Sequence, residues 1–408
     1  MPTSSTRKFR RFWIAAALIA VTALAAVVIW ERWLAPRRAV YIVGVPEKGA
    51  ALFFGKKQCA TCHSINGSGG RIAPDLSGTR PSTPAMGWLA AVLWNHAPGM
   101  YRQMRHGKIS YPQLNPDEMA HVLAFLYQAG NADRPGDPSV GERVFNGKGC
   151  SQCHSIRNSG GKTAPDLSSV AAVNNTSVWT RAMWNHAQSM VDPVSKALGR
   201  WPQFTGGEMN DLIAYAGGAA PATPARGNQM RGSAERGWQV FQRKCIECHS
   251  VHAQGGNAGP ELGPERDLPL GEAQFASVLW NHAPAMLQKV RDRGTALPLL
   301  QGDEVADLNI FLASLRYVEP AGSALVGERV FTERGCAHCH GSDAQGTKLA
   351  PQLRAGSEAF TTVSFATALW RHGPHMVDRA EESGVKWPVL EATDIGDLVS
   401  FLNSPAQK

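Results

Sequence analysis

One short cysteine motif occurs four times in the sequence. The pattern Cys-x-x-Cys-His begins at Cys59, Cys150, Cys245 and Cys336, and these cysteines are 91, 95 and 91 residues apart. All eight cysteines of the 408-residue chain belong to these motifs. A repeat of this length is enough for a small domain with its own core. The sequence therefore predicts four copies of one domain.

Other residues keep a fixed distance from the motif in every copy. A proline follows the motif His by 11 residues, a Met follows that His by 36 or 37 residues, and a second proline follows the Met by 12 residues. The first prolines are Pro74, Pro165, Pro260 and Pro351, the methionines are Met100, Met190, Met286 and Met376, and the second prolines are Pro112, Pro202, Pro298 and Pro388. Chance does not preserve such offsets four times.

Helical patterns predominate around these landmarks. In each copy we expect one helix before the cysteines, such as 141–145, a second through the Trp-rich run, such as 88–96, and an amphipathic third, such as 118–127. Alternation typical of strands is scarce, so the predicted class is all-α. The predicted haem domains cover 47–131, 139–219, 233–318 and 324–408, with a linker at 220–232.

An apolar segment precedes the repeats. Residues 1–11 are basic, and Phe12–Trp30 is a run of 19 residues without charge. That length is close to the thickness of a bilayer core, so we predict a single transmembrane helix over 12–33, followed by a linker at 34–46. A cleaved signal peptide is the alternative, with Ala23-Leu24-Ala25 as its cleavage site. The retained anchor would leave 1–11 in the cytoplasm.

The motif itself indicates covalent haem. In Cys-x-x-Cys-His the two thiols bond to the vinyl groups of one porphyrin, and the adjacent imidazole binds the iron. A zinc site would need ligands from two copies, and a redox dithiol usually occurs once, in a βαβ context. We therefore predict four haem c groups with iron. The predicted cysteines are Cys59, Cys62, Cys150, Cys153, Cys245, Cys248, Cys336 and Cys339, and the proximal ligands are His63, His154, His249 and His340.

Two further sets of repeated residues are candidates at each haem. The first prolines can supply the carbonyl that accepts the other ring N–H of the motif His, although they can also simply turn the chain. The repeated methionines are the predicted distal ligands, because the other seven methionines do not recur in all four copies. The alternative distal ligands, four residues earlier, are His96, His186, His282 and His372.

The copies resemble class I cytochrome c domains over about 47–408. The resemblance rests on a helix with Gly and Phe ahead of the motif, such as Gly141 and Phe145, on the Pro-Asp-Leu loop, and on the Met after a Trp-rich helix. It also rests on an aromatic residue in the last helix, which in that family packs against the first helix: Phe125, Tyr215, Phe311 and Phe401. The resemblance implies a multihaem cytochrome similar to subunits of periplasmic dehydrogenases and respiratory complexes.

These observations predict a carrier of single electrons and no catalytic residue. We expect haem domains in the periplasm, anchored in the bacterial inner membrane, with a quinol-linked or periplasmic dehydrogenase as donor and a cytochrome or oxidase as acceptor. Nucleic acid is not an expected partner, because residues 1–38 hold +6 of the formal net charge of +8. The alternatives are a haem enzyme of the peroxidase, nitrite reductase or thiosulfate-oxidising type, and a cytochrome subunit that anchors a partner oxidoreductase.

Overall fold

Four helical units follow one another along the chain. We name them unit 1 (44–130), unit 2 (133–218), unit 3 (232–315) and unit 4 (322–405). The computed structural model describes residues 44–77, 86–130, 133–169, 175–218, 232–263, 271–315, 322–354 and 359–405.

Every unit contains three principal helices. The first helices are Pro46–Ala51, Pro138–Gly147, Ala234–Lys244 and Ala324–Glu333. In unit 1 this helix continues as the π-helical turn Leu52–Lys56. The second helices are Met86–His106, Thr176–Leu198, Glu272–Asp292 and Thr362–Glu382, and the third helices are Pro116–Gly130, Glu208–Gly217, Glu304–Ser314 and Asp394–Asn403. Local sequence sets several starts: Asp137 accepts hydrogen bonds from the amides of Ser139 and Val140, and Ser233 and Ser323 cap in the same way.

The first and third helices of each unit cross at a glycine. A Cβ atom on Gly141 would lie 2.0 Å from the carbonyl oxygen of Asp211, so no larger residue fits at this crossing. The same close approach occurs at Gly49, Gly237 and Gly327. Beside each crossing an aromatic pair packs, as the resemblance implies: Phe53 with Phe125, Phe145 with Tyr215, Phe241 with Phe311, and Phe331 with Phe401.

Short antiparallel hairpins follow the cysteine motif in three units. They pair Ser64–Ile65 with Ser68–Gly69, Ser155–Ile156 with Ser159–Gly160, and Ser250–Val251 with Gln254–Gly255. The sequence predicted only loops here, because strands of two residues are too short to show alternation. In unit 4 the motif itself forms the short helix Cys336–His340.

The units pack in an order that differs from their order along the chain. The second helix of unit 1 packs on that of unit 4, and the second helix of unit 2 packs on that of unit 3. The third helices of units 1 and 3 also touch, and Ala313 of unit 3 belongs to the hydrophobic cluster that units 1 and 4 share. Contact therefore runs from unit 4 through units 1 and 3 to unit 2.

The predicted fold class was wrong in its transmembrane helix. Within the described ranges between 44 and 405, no helix combines the length and the apolar surface needed to cross a bilayer. The second helices have 21 to 23 residues, but polar and charged side chains interrupt their apolar faces. The architecture is mostly helical, with the small hairpins added. The anchor segment 12–33 and residues 34–43 of the N-terminal linker segment 34–46 lie outside the described residues, as do 1–11 and 220–231, and Pro46 already begins the first helix of unit 1.

Candidate haem-binding sites

The cysteine motif begins where the first helix of each unit ends. In three units the residue before the first cysteine has a positive φ, which turns the chain out of the helix: Gln58 (58°), Gly149 (81°) and Gly335 (86°). All eight cysteines are half-buried, and none is paired with another in a disulfide. Burial raises the pKa of Cys59, Cys150 and Cys336 to about 11 and that of Cys245 to about 12. A raised pKa is the opposite of the lowered pKa that activates the thiolate of a reactive redox dithiol.

The imidazole of each motif faces a proline carbonyl. The Nδ1 atom of His63 lies 3.0 Å from the carbonyl oxygen of Pro74, and that of His154 lies 2.8 Å from the oxygen of Pro165. In units 3 and 4 the distances are 2.8 Å from His249 to Pro260 and 2.9 Å from His340 to Pro351. A carbonyl oxygen only accepts hydrogen bonds, so Nδ1 must carry the proton of the neutral ring. The lone pair is then on Nε2, which is the tautomer that a metal ligand needs.

An acidic residue ties the proline loop of units 1 and 2 to the hairpin. In unit 1, Asp75 accepts hydrogen bonds from the Ser64 hydroxyl at 2.7 Å, the Gly67 amide at 2.8 Å and the Ser77 amide at 2.8 Å. Burial alone would raise the pKa of Asp75, but hydrogen bonds from these groups and the Ser77 hydroxyl outweigh it and hold the pKa well below its ordinary range. The loop that presents the Pro74 carbonyl is thus fixed at its next residue.

Units 2 and 3 also have an acidic residue that accepts hydrogen bonds at this position of the proline loop. In unit 2, hydrogen bonds to Asp166 from Ser168, Asn158 and Ser155 likewise hold its pKa well below the usual range. In unit 3, Glu261 accepts the Ala253 amide at 3.0 Å.

Unit 4 holds its proline loop with an arginine. Arg354 donates to the backbone oxygens of Asp343 and Ser404, forms an ion pair with the Asp343 side chain, and lies 4.3 Å from the ring centre of Phe401. The loop positions were visible in the sequence as a Pro-Asp-Leu pattern, but the role of the acid was not predicted.

The second helix of each unit carries the two candidate distal ligands. The four repeated methionines are half-buried, whereas His96, His186, His282 and His372 are exposed. Residues four apart lie on one face of a helix, so each Met and its His project on the same side. Met190 and Cys150 pack against one hydrophobic cluster, and Met376 and Cys336 pack against another. The burial favours the thioether over the imidazole.

The Trp of the same helix is used between units. The indole Nε1 of Trp94 donates to the Pro388 oxygen at 2.8 Å, and that of Trp370 donates to the Pro112 oxygen at 2.7 Å. Units 2 and 3 repeat the exchange, with Trp184 bonded to Pro298 at 2.8 Å and Trp280 bonded to Pro202 at 2.7 Å. The constant offset of 12 residues between Met and the second proline was the sequence signal for these acceptors, but it did not reveal that they lie in another unit.

The Asn after that Trp forms a second link, which we call the Asn clip. In the clip one side-chain amide donates to, and accepts from, the backbone of a single residue two positions after the second proline. Three clips exist among the described residues, each with both distances at 2.8 Å: Asn95 with Leu390, Asn185 with Leu300, and Asn281 with Phe204. Unit 4 has Arg371 at this position, and an arginine side chain has no acceptor for the second bond.

Comparison with known proteins decides the family. The model for cytochrome c matches residues 46–130, 234–316 and 324–405, which is more than half of the chain. The chain belongs to the cytochrome c family. Cytochrome c domains bind haem c covalently and transfer electrons through its iron, so haem c with iron as the kind of cofactor and haem-based electron transfer are confirmed.

One curated relative is a subunit of a cytochrome c oxidase. The chain is 29% identical over 145 residues to the Cbb3-type cytochrome c oxidase subunit FixP of Sinorhizobium medicae (strain WSM419). The match covers 34% of this chain and 45% of the relative. This cytochrome thus spans less than half the length of the curated relative.

The donor set of the cytochrome fits haem c. Each unit offers two half-buried thiols, one imidazole with Nε2 free, and one half-buried thioether on a neighbouring helix. In the described parts of the chain, no three or more His, Cys, Asp or Glu side chains gather as a metal site of their own. Unit 2 lies outside the three matched segments, yet its His154–Pro165 contact is the same as in the others.

Proposed function

We propose that each of the four units holds one haem c, and that the protein relays single electrons between these haems in the periplasm. The observation that carries this proposal is the contact between the motif His and the proline carbonyl, because it occurs in all four units and fixes the ligating tautomer.

The residues of each unit divide the work of holding the haem. The two cysteines would hold the porphyrin, and the motif His, through Nε2, and the repeated Met would hold the iron. The proline carbonyl keeps the imidazole oriented. When bound, haem iron supplies one-electron chemistry, and a thioether ligand raises its reduction potential. If the His and the Met both hold the iron, no ligand position remains for a substrate, which favours electron transfer over catalysis.

The proposed location and partners follow from this cofactor. Haem c is attached outside the cytoplasm, which supports a periplasmic position for the four units. A quinol-linked or periplasmic dehydrogenase is the proposed donor. A cytochrome or an oxidase is the proposed acceptor, and the similarity to an oxidase subunit supports that choice. Separation of periplasm, membranes and cytoplasm from cells that make the protein, followed by haem staining, tests the location; haem staining in the cytoplasmic fraction would contradict it.

Haem counting tests the number of haems. Intact-mass spectrometry and the pyridine haemochrome spectrum should give four haems per chain. The Cys150→Ala/Cys153→Ala variant should give three, because it removes both thioether bonds of unit 2. The same pair of substitutions at Cys336 and Cys339 is the matched control, since unit 4 lies within a segment that matches the family. Three haems in the unaltered chain, with no change in the unit 2 variant, would contradict the proposal.

Near-infrared spectroscopy tests the distal ligand. Oxidised haem with a thioether ligand has a charge-transfer band in this region, and we expect it from all four haems. Met190→Ala should reduce the intensity of the band by the contribution of one haem. His186→Ala, four residues earlier on the same helix, should leave the band unchanged. Absence of the band from the unaltered protein, or a band of unchanged size in Met190→Ala, would contradict the Met assignment and favour the histidine. Carbon monoxide binding to a ferrous haem of the unaltered protein, with peroxide or nitrite turnover, would favour a haem enzyme.

A further inference from the structure

We propose that electrons move through the units in the order 4, 1, 3, 2 or its reverse, so that haems in neighbouring units along the chain are not always neighbours in electron transfer. The proposal rests on the proposed function, in which every unit holds a haem. It follows from the contacts between units, since the rate of electron transfer falls steeply with distance.

Units 1 and 4 form one redox pair. Their second helices, which carry Met100 and Met376, pack on each other, and both methionines contact the single hydrophobic cluster that the two units share. The exchange is reciprocal, because Trp94 bonds to unit 4 and Trp370 bonds to unit 1. The candidate distal ligands of these two units are therefore held against one core, although 275 residues separate them in the sequence.

Units 2 and 3 form the other pair through the same surfaces. Met190 of unit 2 contacts a hydrophobic cluster that includes Ala273, Ala276 and Trp280 of unit 3. Two reciprocal bonds from Trp to proline and two Asn clips connect the pair, and the Trp201 indole of unit 2 also donates to the Trp280 oxygen of unit 3. The face that carries Trp and Asn is turned to the partner unit in both pairs, which shows that it serves pairing.

Units 1 and 3 connect the two pairs. Their third helices pack together, and Ala313 of unit 3 reaches the cluster of units 1 and 4. These third helices carry no candidate ligand, so transfer between pairs is the slower step. Units 2 and 4 are then the two ends of the path.

The redox interactions between the haems test this order. Oxidation of one haem shifts the potential of another by an amount that falls with the distance between them. In an NMR redox titration of the four-haem protein, the shifts between haems 1 and 4 and between haems 2 and 3 should be about twofold or more larger than that between haems 1 and 2. Single-thioether variants assign the signals: Cys62→Ala, Cys153→Ala, Cys248→Ala and Cys339→Ala. If the shifts in potential were largest between haems 1 and 2 and between haems 3 and 4, the order would be overturned.

A variant of the pairing surface tests its cause. Trp280→Phe combined with Asn281→Ala removes one indole bond and one Asn clip between units 2 and 3, so the shift between haems 2 and 3 should fall and that between haems 1 and 4 should not. Arg371→Ala is the matched control, because it changes the clip position of unit 4, where no clip forms, and should alter neither. An unchanged shift between haems 2 and 3 would overturn the role of the exchange. Haem counting on the same samples separates the outcomes: fewer than four haems contradicts the proposed function, whereas four haems in another order contradicts only this inference.

Discussion

The two pairs of units use one pairing surface with different completeness. Units 2 and 3 exchange two indole bonds and two Asn clips. Units 1 and 4 keep both indole bonds but have one clip, because Arg371 stands where the second Asn would be. Ionic contacts differ in the opposite direction: Arg105–Asp378 and Arg102–Glu381 link the second helices of units 1 and 4, against Arg291–Asp192 between units 2 and 3.

The difference shows which contacts the pairing cannot lose. All four paired Trp side chains are less than a tenth exposed, and a buried indole N–H without an acceptor costs free energy. The Asn side chains are only half-buried, so an exposed Arg can replace one of them. The indoles are thus the constant part of the surface, and the clips are its adjustable part.

Removal of a paired indole should have the largest effect on this comparison. Trp280→Ala leaves a cavity beside Trp201, which stacks on it at 4.2 Å, and leaves the Pro202 carbonyl without its donor. We expect a loss of about 3–5 kcal/mol in the free energy of unfolding, measured by chemical denaturation. Trp370→Ala should cost a similar amount in the pair of units 1 and 4, where Tyr111 stacks on Trp370 at 4.6 Å.

Trp238→Ala is the control for the indole prediction. Trp238 is half-buried and packs inside unit 3 against Phe241 and Phe311. We expect a smaller loss of stability than for Trp280→Ala, because no bond to another unit is lost. Equal losses for Trp238→Ala and Trp280→Ala would mean that the bond across the pair adds nothing to ordinary packing.

Removal of an Asn clip should separate the two pairs. Asn95→Ala removes the one clip between units 1 and 4, whereas Asn281→Ala leaves units 2 and 3 with the clip of Asn185. Each change deprives a backbone N–H and C=O of their partners, and we expect a loss of about 1–3 kcal/mol in the free energy of unfolding. The effect on pairing should be larger for Asn95→Ala. We expect hydrogen exchange of the Trp94 and Trp370 indole N–H groups to accelerate more in Asn95→Ala than that of the Trp184 and Trp280 indole N–H groups in Asn281→Ala. Equal exchange rates in the two variants would contradict the difference between the pairs.

The sequence predicted the helices of each unit better than the arrangement of the units. Helical spacing and fixed offsets predicted the three helices per unit, because each of these signals arises within about 90 residues of chain. The pairing could not be predicted in the same way. Pro112 follows Trp94 at the same interval in the sequence whether it accepts the hydrogen bond of Trp94, in its own unit, or of Trp370, in unit 4. The structure shows that Trp370 is the donor. Because the four copies share the same offsets, the sequence does not show which copies contact each other.

The transmembrane helix and the loop acid show two other limits of the sequence. The transmembrane helix was predicted from the length and lack of charge of Phe12–Trp30 alone, whereas in the described part of the chain even the helices of 21 to 23 residues are not apolar enough to cross a bilayer. The role of Asp75 depends on Ser64 and Gly67, which reach it only when the hairpin forms. Such a contact has no periodic pattern in the sequence.

Completion of the missing clip should stabilise the pair of units 1 and 4. Arg371→Asn places an amide where it can exchange bonds with Leu114, which stands two residues after Pro112 as Leu390 stands two residues after Pro388. We expect a gain of about 0.5–1.5 kcal/mol in the free energy of unfolding, and slower hydrogen exchange of the Leu114 amide. Arg371→Ala is the control, since it removes the arginine without adding a clip. A gain of equal size in both variants would show that loss of the arginine, and not the clip, is responsible.

The smallest effect should come from the ion pair between units 2 and 3. Asp192 lies 2.9 Å from Arg291, and the hydrogen bond from that guanidinium lowers the pKa of the carboxyl group. A carboxyl group with a lowered pKa in the folded state adds stability above its unfolded pKa of about 3.9, and this stability is lost as pH falls through the folded value. Asp192→Asn should therefore flatten the acid side of the stability profile, measured by thermal unfolding between neutral and acid pH at low salt. Because both side chains are exposed, added salt should weaken the difference between the variant and the unaltered protein. A difference that persists at low pH and high salt would mean that Asp192 acts through packing between the two second helices, and the ionic part of the comparison between the pairs would then have to be abandoned.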